Sequence, residues 1–383
     1  MHMKAILLPL TFTISLLSFA VNAGTPLTAS SSDKAQLGQQ LFFDVNLSQN
    51  RSQSCASCHS PARGFADDRD GTELGASLGD DGHSLGDRNA PSAGYALFSP
   101  EFHRKASGEW VGGQFWDGRA ATLADQAGGP PLNPIEMGMP DKAGVIARLK
   151  ENPEYVRQFD AFFGDGILDN PEQGYIAMAE SLAAFERTDF FAPFDSKYDR
   201  FLRGEARLSD QEELGRLLFF SQQFTNCNQC HQLRKSARAR DETFTNYEYR
   251  NIGTPVNTEL RLANGSGANA IDQGLLNNPV VNDPAQAGKF KIPTLRNVAV
   301  TGPYMHNGVF KDLRTVVLFY DKYNNPTRTL NPETGKPWAK PEVADNLALN
   351  ELEKGPALDD ERVDALVAFL KTLTDQRYEH LLK

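Results

Sequence analysis

The sequence is poor in cysteine, with four residues in a chain of 383, which is too few for a disulfide-rich scaffold. All four lie in two short motifs, CASCH at residues 55–59 and CNQCH at residues 227–231. A structural disulfide does not need a histidine after each pair, and a structural zinc site needs four ligands that converge. A thioredoxin-like redox pair would favour a βαβ context, which the surrounding sequence does not indicate. The number and setting of the cysteines therefore argue against a structural disulfide, a structural zinc site and a thioredoxin-like redox pair.

Long apolar runs are also lacking. The one apolar run, residues 5–20, follows Lys4 and precedes a small-residue stretch at residues 21–23, a pattern that is typical of an export signal. The run is short for a membrane span, and no comparable run follows it. We therefore expect residues 1–23 to be a cleaved signal peptide, and we expect a periplasmic protein without a membrane span.

An excess of basic residues is the third thing missing. The sequence has 39 Lys and Arg against 49 Asp and Glu, which gives a net charge of −10 at pH 7. This balance argues against nucleic-acid binding, because nucleic-acid sites are basic. It permits the docking of a small basic protein.

What the two motifs do contain fits covalent haem. Positions i, i+3 and i+4 of a helical turn share one face, so Cys55, Cys58 and His59 point in the same direction. Two thiols placed in this way can form thioether bonds with one haem, and the imidazole then reaches its iron. The second motif offers the same groups, which are Cys227, Cys230 and His231. We predict two haem c groups, with zinc or a structural disulfide as the alternatives.

A repeat surrounds the two motifs. LGQQLFFD begins at residue 37 and LGRLLFFS at residue 214, each upstream of its cysteines, which indicates two homologous units. The second unit opens with a capping box of Ser209 and Glu212. We predict a mainly α fold of two cytochrome c-like haem domains with long loops, covering residues 24–205 and 206–383.

Two further helices and two loops follow from local signals. Asn170 and Pro171 are a typical helix start, and an apolar stripe between residues 363 and 373 follows Asp359. Residues 66–95 and 251–288 are rich in Gly, Asn and Asp and have little periodicity. We predict long loops there, which are often functional in a compact domain.

Several motifs occur together in a specific order. They are CASCHSPARGFADD, DRNAPSAGYALF, GGQFWDGRAATLADQAGGPPLNPIEMGMP, CNQCH and IPTLRNVAVTGPYMHNGVF. From about residue 35 onward, the chain resembles the bacterial dihaem cytochrome c peroxidase and MauG family. The resemblance implies that the first haem meets peroxide and that the second relays or stores charge.

The resemblance also implies three catalytic residues. Glu136 matches an acid-base carboxylate over the first haem, Gln126 lines the same pocket, and Trp116 lies between the haems. Chemistry agrees on the first role, because peroxide reduction needs a proton on the departing oxygen, and burial would raise the pKa of a glutamate. Without the resemblance, Glu136 could be a surface carboxylate, Gln126 an exposed helix residue and Trp116 a core residue.

A calcium site is implied by the resemblance alone. Asn89, Thr301 and Pro303 match positions that bind calcium near the domain interface, the last two through carbonyl oxygens. Oxygen ligands suit this ion. Carbonyl ligands leave no trace in composition, so the residues by themselves do not indicate the site.

The sixth ligands of the two irons decide between the functions. His83 is a tentative cap for the first haem, although loop histidines are more often solvated. At the second haem, Tyr320 occupies the position where the peroxidases carry a methionine, while Tyr323 and Met305 are its rivals. A phenolate would favour ferric or higher-valent iron.

Three functions follow for testing. The leading hypothesis is an exported dihaem peroxidase that takes electrons from a small donor protein, a cytochrome c or a cupredoxin, and reduces hydrogen peroxide. The second is a MauG-like oxidase that modifies Trp or Tyr of a protein substrate, which Tyr320 favours. The third is an electron carrier, which would not need Glu136. A homodimer is one assembly that the resemblance permits.

Overall fold

A computed structural model describes residues 31–69 and 71–382. The predicted signal peptide, residues 1–23, lies outside the described residues. The helices are α1 Ser31–Phe42, α2 Cys55–Cys58, α3 Leu123–Ala127, α4 Lys142–Lys150, α5 Pro153–Phe163, α6 Pro171–Glu186, α7 Lys197–Leu202, α8 Asp210–Phe219, α9 Thr258–Ala263, α10 Leu313–Asp321, α11 Leu349–Leu352 and α12 Asp360–Lys371. The strands are β1 His103–Arg104, β2 Trp110–Val111, β3 Tyr249–Arg250 and β4 Phe290–Lys291, and they form the antiparallel pairs β1–β2 and β3–β4. The prediction of a mainly helical protein is confirmed.

Helix starts follow the capping signals in the sequence. The Ser209 hydroxyl accepts the backbone N–H of Glu212, and the Glu212 carboxylate accepts the Ser209 N–H, so α8 begins with a full capping box. Asn170 caps α6, which has Pro171 at its first position. Asp359 caps α12. All three predicted helices are therefore present.

The sequence repeat corresponds to a repeated helix crossing. Helix α1 packs against α6, and α8 packs against α12. A Cβ atom on Gly38 would lie 1.9 Å from the Ser181 carbonyl oxygen, and one on Gly215 would lie 1.8 Å from that of Ala365. Any larger residue would push the helices apart. The two LG pairs therefore mark the points where each pair of helices comes closest.

Two apolar clusters form around these crossings. The first draws its buried residues from positions 37–191 and includes Phe42, Phe159 and Phe191, and the second draws from positions 198–373 and includes Phe219 and Phe369. Many of the aromatic rings meet edge to face, which is a preferred geometry for such pairs. Each cluster supports one of the cysteine motifs.

The two predicted long loops lie in contact with each other. Residues 66–69 and 71–95 are irregular, whereas residues 251–288 contain α9 and short 3₁₀ turns and are not loop throughout. Arg88 of the first loop donates from Nε and Nη2 to both carboxylate oxygens of Asp272 in the second, at 2.6 and 2.7 Å. Within the described residues, no helix is long and apolar enough to cross a membrane.

Candidate functional site: two cavities on cysteine–histidine turns

The first cysteine motif opens onto a cavity of about 600 Å³. Cys55 and Cys58 are the ends of α2. The Ser54 N–H donates to the Ser57 hydroxyl at 3.0 Å, and the His59 N–H donates to the Cys55 carbonyl at 2.9 Å. Six of the seven residues predicted for the first haem line this cavity, namely Cys55, Cys58, His59, Trp116, Gln126 and Glu136, and His83 does not. The structure thus brings together side chains that are up to 81 residues apart in the sequence.

The His59 ring is prepared to act as a ligand. Its Nδ1 lies 3.4 Å from the Phe65 carbonyl oxygen, which fits a proton on Nδ1 and a free lone pair on Nε2. Burial lowers the pKa of His59, so the imidazole is neutral at neutral pH. A neutral imidazole is the form that binds iron.

The cysteines are free thiols in the described chain. Burial raises the pKa of Cys55 to about 12 and that of Cys58 to about 11. Arg69 donates from Nη2 to the Cys58 sulfur at 3.2 Å. Two unpaired thiols beside an imidazole in one cavity are the donor set that a covalently bound haem requires.

Glu136 is fixed through its backbone and turns its side chain to the cavity. Its carbonyl accepts the Gln53 amide and the Asp80 N–H, both at 2.7 Å. Burial raises the pKa of the carboxyl, and the nearby Arg119 partly offsets this effect. Glu136 can therefore hold and release a proton at a pH closer to neutrality than an exposed glutamate.

The second motif lies on a 3₁₀ turn, Cys227–Gln229, where the first has an α-helical turn. Asn226 precedes it with a positive φ of 57°, which asparagine tolerates better than most residues and which redirects the backbone. The His231 Nδ1 lies 3.2 Å from the Phe244 carbonyl oxygen, and burial lowers the pKa of His231 to about 4. Despite the different turn, the imidazole is oriented as in the first motif.

This turn opens onto a second cavity of about 240 Å³. Its lining includes Cys227, Cys230 and His231 together with many apolar side chains, and it also includes Tyr320 and Met305. Tyr323 does not line it, and the Tyr323 hydroxyl donates to the Ile252 carbonyl at 3.0 Å. Burial raises the pKa of Tyr320. Of the two tyrosines, Tyr320 is the one available to a ligand in this cavity.

Trp116 lines both cavities. Its Nε1 donates to the Asn89 carbonyl at 2.8 Å, and the Asn89 N–H donates to the His306 carbonyl at 2.7 Å. His306 is buried, stacks on Phe290 at 3.6 Å and lies 3.2 Å from a Glu342 oxygen. The indole is thus hydrogen-bonded to Asn89, whose own backbone N–H is bound to His306.

The remaining predicted ligands are His83, proposed for the first iron, and the three residues proposed for calcium. His83 is exposed and does not line the first cavity. Asn89 and Pro303 line a small cavity of about 10 Å³ together with Asp67, and Thr301 is two positions before Pro303. Among the described residues, no group of three or more His, Cys, Asp or Glu side chains is arranged to hold a metal.

Two polar residues at the cavities were not indicated by the sequence. Glu186, at the end of α6, is 7% exposed and lines the first cavity, and burial raises its pKa to about 8. Lys291 lines the second cavity. Glu186 lies one helical turn after Leu182, inside an apolar stripe of α6. A carboxylate in such a stripe is the one feature of the sequence that could have indicated a buried acid.

Known proteins resemble this chain in sequence and in fold. Residues 32–207 match the family model of the di-haem cytochrome c peroxidases. The chain is 58% identical to the methylamine utilization protein MauG of Paracoccus denitrificans over 94% of both chains. It is 34% identical to the cytochrome c peroxidase Ccp of Escherichia coli, over 72% of this chain and 50% of that protein.

A solved structure of a diheme peroxidase has a similar fold. The diheme peroxidase BthA of Burkholderia thailandensis superposes with a TM-score of 0.81 at 32% identity, covering 94% of this chain and 90% of that one. The chain therefore belongs to the di-haem cytochrome c peroxidase family, and it is an oxidoreductase of that family.

Proposed function

We propose that the chain is an exported, periplasmic di-haem peroxidase that reduces hydrogen peroxide to water in the first cavity, with electrons relayed through the second. The observation that carries the proposal is the meeting of Cys55, Cys58 and His59 with Glu136 and Gln126 around one cavity. The proposed haem domains are residues 24–205 and 206–383, each built on its own helix crossing and apolar cluster.

The residues of the first cavity have separate roles in the proposed reaction. When bound, haem supplies an iron on which peroxide can be reduced, and His59 would hold it from one side. Glu136 would accept a proton from one peroxide oxygen and give it to the other, so that the second oxygen leaves as water. The Gln126 amide orients peroxide by hydrogen bonding. Two electrons and two further protons complete the conversion of one peroxide to two waters.

The electrons are proposed to arrive by way of the second cavity. His231 would hold the second iron, and Trp116, which lines both cavities, offers a π-system between them. A small donor protein, a cytochrome c or a cupredoxin, is the proposed source of electrons. An electron carrier without peroxide chemistry is the weaker reading, because it would leave Glu136 and Gln126 without a role.

A second candidate function is supported by a sequence identity and by one residue of the lining. The chain is 58% identical to the methylamine utilization protein MauG. Tyr320, at the position where the resemblance to the peroxidases implies a methionine ligand, lines the second cavity. A phenolate ligand stabilises oxidised iron, which suits an oxidase that draws electrons from Trp or Tyr of a protein substrate. Met305 lines the same cavity and is the competing ligand.

One experiment separates these functions. Hydrogen peroxide is mixed rapidly with the diferric protein and, separately, with the half-reduced protein, and the Soret band is followed. A reaction that occurs only after reduction supports the peroxidase, and an immediate reaction of the diferric form supports the oxidase. No reaction in either form would contradict both.

The calcium site stays a proposal of its own. Asn89 and Pro303 share a small cavity with Asp67, which adds a carboxylate to the oxygen ligands expected from Asn89, Thr301 and Pro303. Metal analysis of the purified protein, before and after treatment with a chelator, tests it. A homodimer also stays a prediction, and the mass of the protein in solution tests it.

A further inference from the structure

Lys291 occupies an unusual place between the two cavities. It ends strand β4, lines the second cavity, and donates its backbone N–H to the Trp116 carbonyl at 2.9 Å. Trp116 in turn lines both cavities. The position of Lys291 is therefore tied to that of the indole between the two proposed haems.

The Lys291 ammonium lacks an anionic partner in the described part of the chain. Its Nζ donates to the Gly113 carbonyl at 2.5 Å, which uses one of three N–H groups. Asp117 attracts it, but this carboxylate already pairs with Arg88 at 2.7 Å and Arg119 at 2.9 Å. Burial lowers the pKa of Lys291 to about 7, because the surrounding protein does not compensate the charge.

The other strongly basic residue of this cavity is already neutralised. Arg250 lines the cavity and pairs with Glu248 at 2.7 Å and with Glu351 at 3.7 Å. Among the Lys and Arg side chains that line this cavity in the described structure, Lys291 is thus the one without a carboxylate partner of its own. A haem brings two carboxylates, its propionates, and a partly buried ammonium with unused N–H groups suits such a partner.

We propose that the Lys291 ammonium pairs with a propionate of the haem in the second cavity and thereby fixes that edge of the haem beside Trp116. The inference rests on the proposed function, in which the second cavity holds a haem. The pairing would raise the redox potential of the second haem, because a positive charge held next to a haem favours its reduced form. Lys291 is therefore a positioning residue for the step between the cavities.

The test is a redox titration of the holoenzyme with three variants. Lys291→Met removes the charge, Lys291→Arg keeps it, and Lys289→Met removes a charge that does not line the cavity. We expect Lys291→Met to shift the reduced-to-oxidised ratio of the second haem about tenfold towards the oxidised form, which is about 59 mV for one electron. Lys291→Arg and Lys289→Met should stay close to the unchanged protein.

A second measurement does not depend on the potential. The propionate vibrations in the resonance Raman spectrum should shift in Lys291→Met and in Lys291→Arg, because the hydrogen-bond donor changes, and should be unchanged in Lys289→Met. If mass spectrometry shows that Lys291→Met loses the second haem while Lys291→Arg keeps it, the need for the charge is also supported.

Other results would overturn the inference. The first is a Lys291→Met protein that keeps two haems and has an unchanged redox potential and unchanged Raman bands. The second is a Lys291→Arg protein whose redox potential shifts as far as that of Lys291→Met, which would mean that the shape of the side chain matters and its charge does not. Haem counting on the unchanged protein keeps the two claims apart. Two haems with an indifferent Lys291 refute the pairing alone, whereas fewer than two refute the proposed function.

Discussion

The two cavities are built on the same short motif but differ in what surrounds it. Around the first, Glu136, Gln126 and Glu186 add carboxyl and amide groups to a space of about 600 Å³. Around the second, many apolar side chains enclose about 240 Å³, and Tyr320 and Lys291 are among the polar groups of the lining. The imidazoles are held alike, each by a backbone carbonyl at Nδ1.

This difference shows which parts of a haem-binding site decide its chemistry. The thiols and the imidazole fix where a haem sits, while the groups on the opposite side decide whether a substrate can enter and take up a proton. A roomy cavity with a proton-holding carboxyl suits peroxide, and a tighter cavity suits electron transfer. The predictions below test this contrast, beginning with the largest expected effect.

Removal of the Glu136 carboxyl should abolish most of the chemistry of the first cavity. Glu136→Gln keeps the size and hydrogen bonding of the side chain but cannot move a proton, and general acid–base catalysis typically contributes at least about 100-fold. We expect peroxide turnover to fall by at least that factor, measured by steady-state kinetics. Haem content, measured by mass, should not change. Turnover close to that of the unchanged protein would remove Glu136 from the mechanism.

Tyr320, on α10, tests the second cavity, and Tyr323, two residues beyond the end of that helix, is the matched control. If the Tyr320 oxygen binds the second iron, Tyr320→Phe removes that ligand and should change the low-spin signal of this haem in electron paramagnetic resonance and optical spectra. Tyr323→Phe should leave the signal as it is, since the Tyr323 hydroxyl is bound to the Ile252 carbonyl. An unchanged signal in Tyr320→Phe would shift the assignment to Met305.

Much of the fold could be predicted from the sequence, because its signals are local. The caps at Asn170, Ser209 and Asp359 and the CxxCH turns act over a few residues, and the LG repeat pointed to a duplicated structure. The close approach at Gly38 and Gly215 explains that repeat physically.

Other features could not be predicted, because they depend on residues far apart in the chain. Lys291 is notable only because Asp117 is already paired with Arg88 and Arg119. Glu186 is notable only because folding buries it in the first cavity. For His83, the sequence left both a haem ligand and a solvated loop residue open, and the fold leaves the side chain exposed. Ionic partners and burial are tertiary properties, and the local sequence leaves them open.

Glu186 gives the first cavity a pH dependence of stability. Its folded-state pKa of about 8 lies above the ordinary value of 4.5, so the folded protein retains a proton that the unfolded chain releases. The stabilisation is complete below pH 4.5 and is lost as the pH rises towards 8. We expect Glu186→Gln to remove this loss and to be more stable than the unchanged protein at pH 8 by on the order of 4 kcal/mol.

Thermal unfolding of the holoenzyme between pH 5 and 9 measures this difference. Glu180→Gln is the matched control on α6, because Glu180 is exposed, and it should follow the unchanged protein. Parallel curves for Glu186→Gln and the unchanged protein would show that Glu186 keeps its charge in the folded state.

The smallest effect is expected at His83, and it bears directly on the contrast between the cavities. A histidine that capped the first iron at rest would make the first cavity resemble the second, with both axial positions filled. His83 is exposed and outside the cavity lining, so we expect His83→Ala to leave the optical spectrum and the peroxide reaction of the diferric protein unchanged. A gain of diferric reactivity in His83→Ala would mean that this loop closes over the first iron, and the first cavity would then be open only after activation.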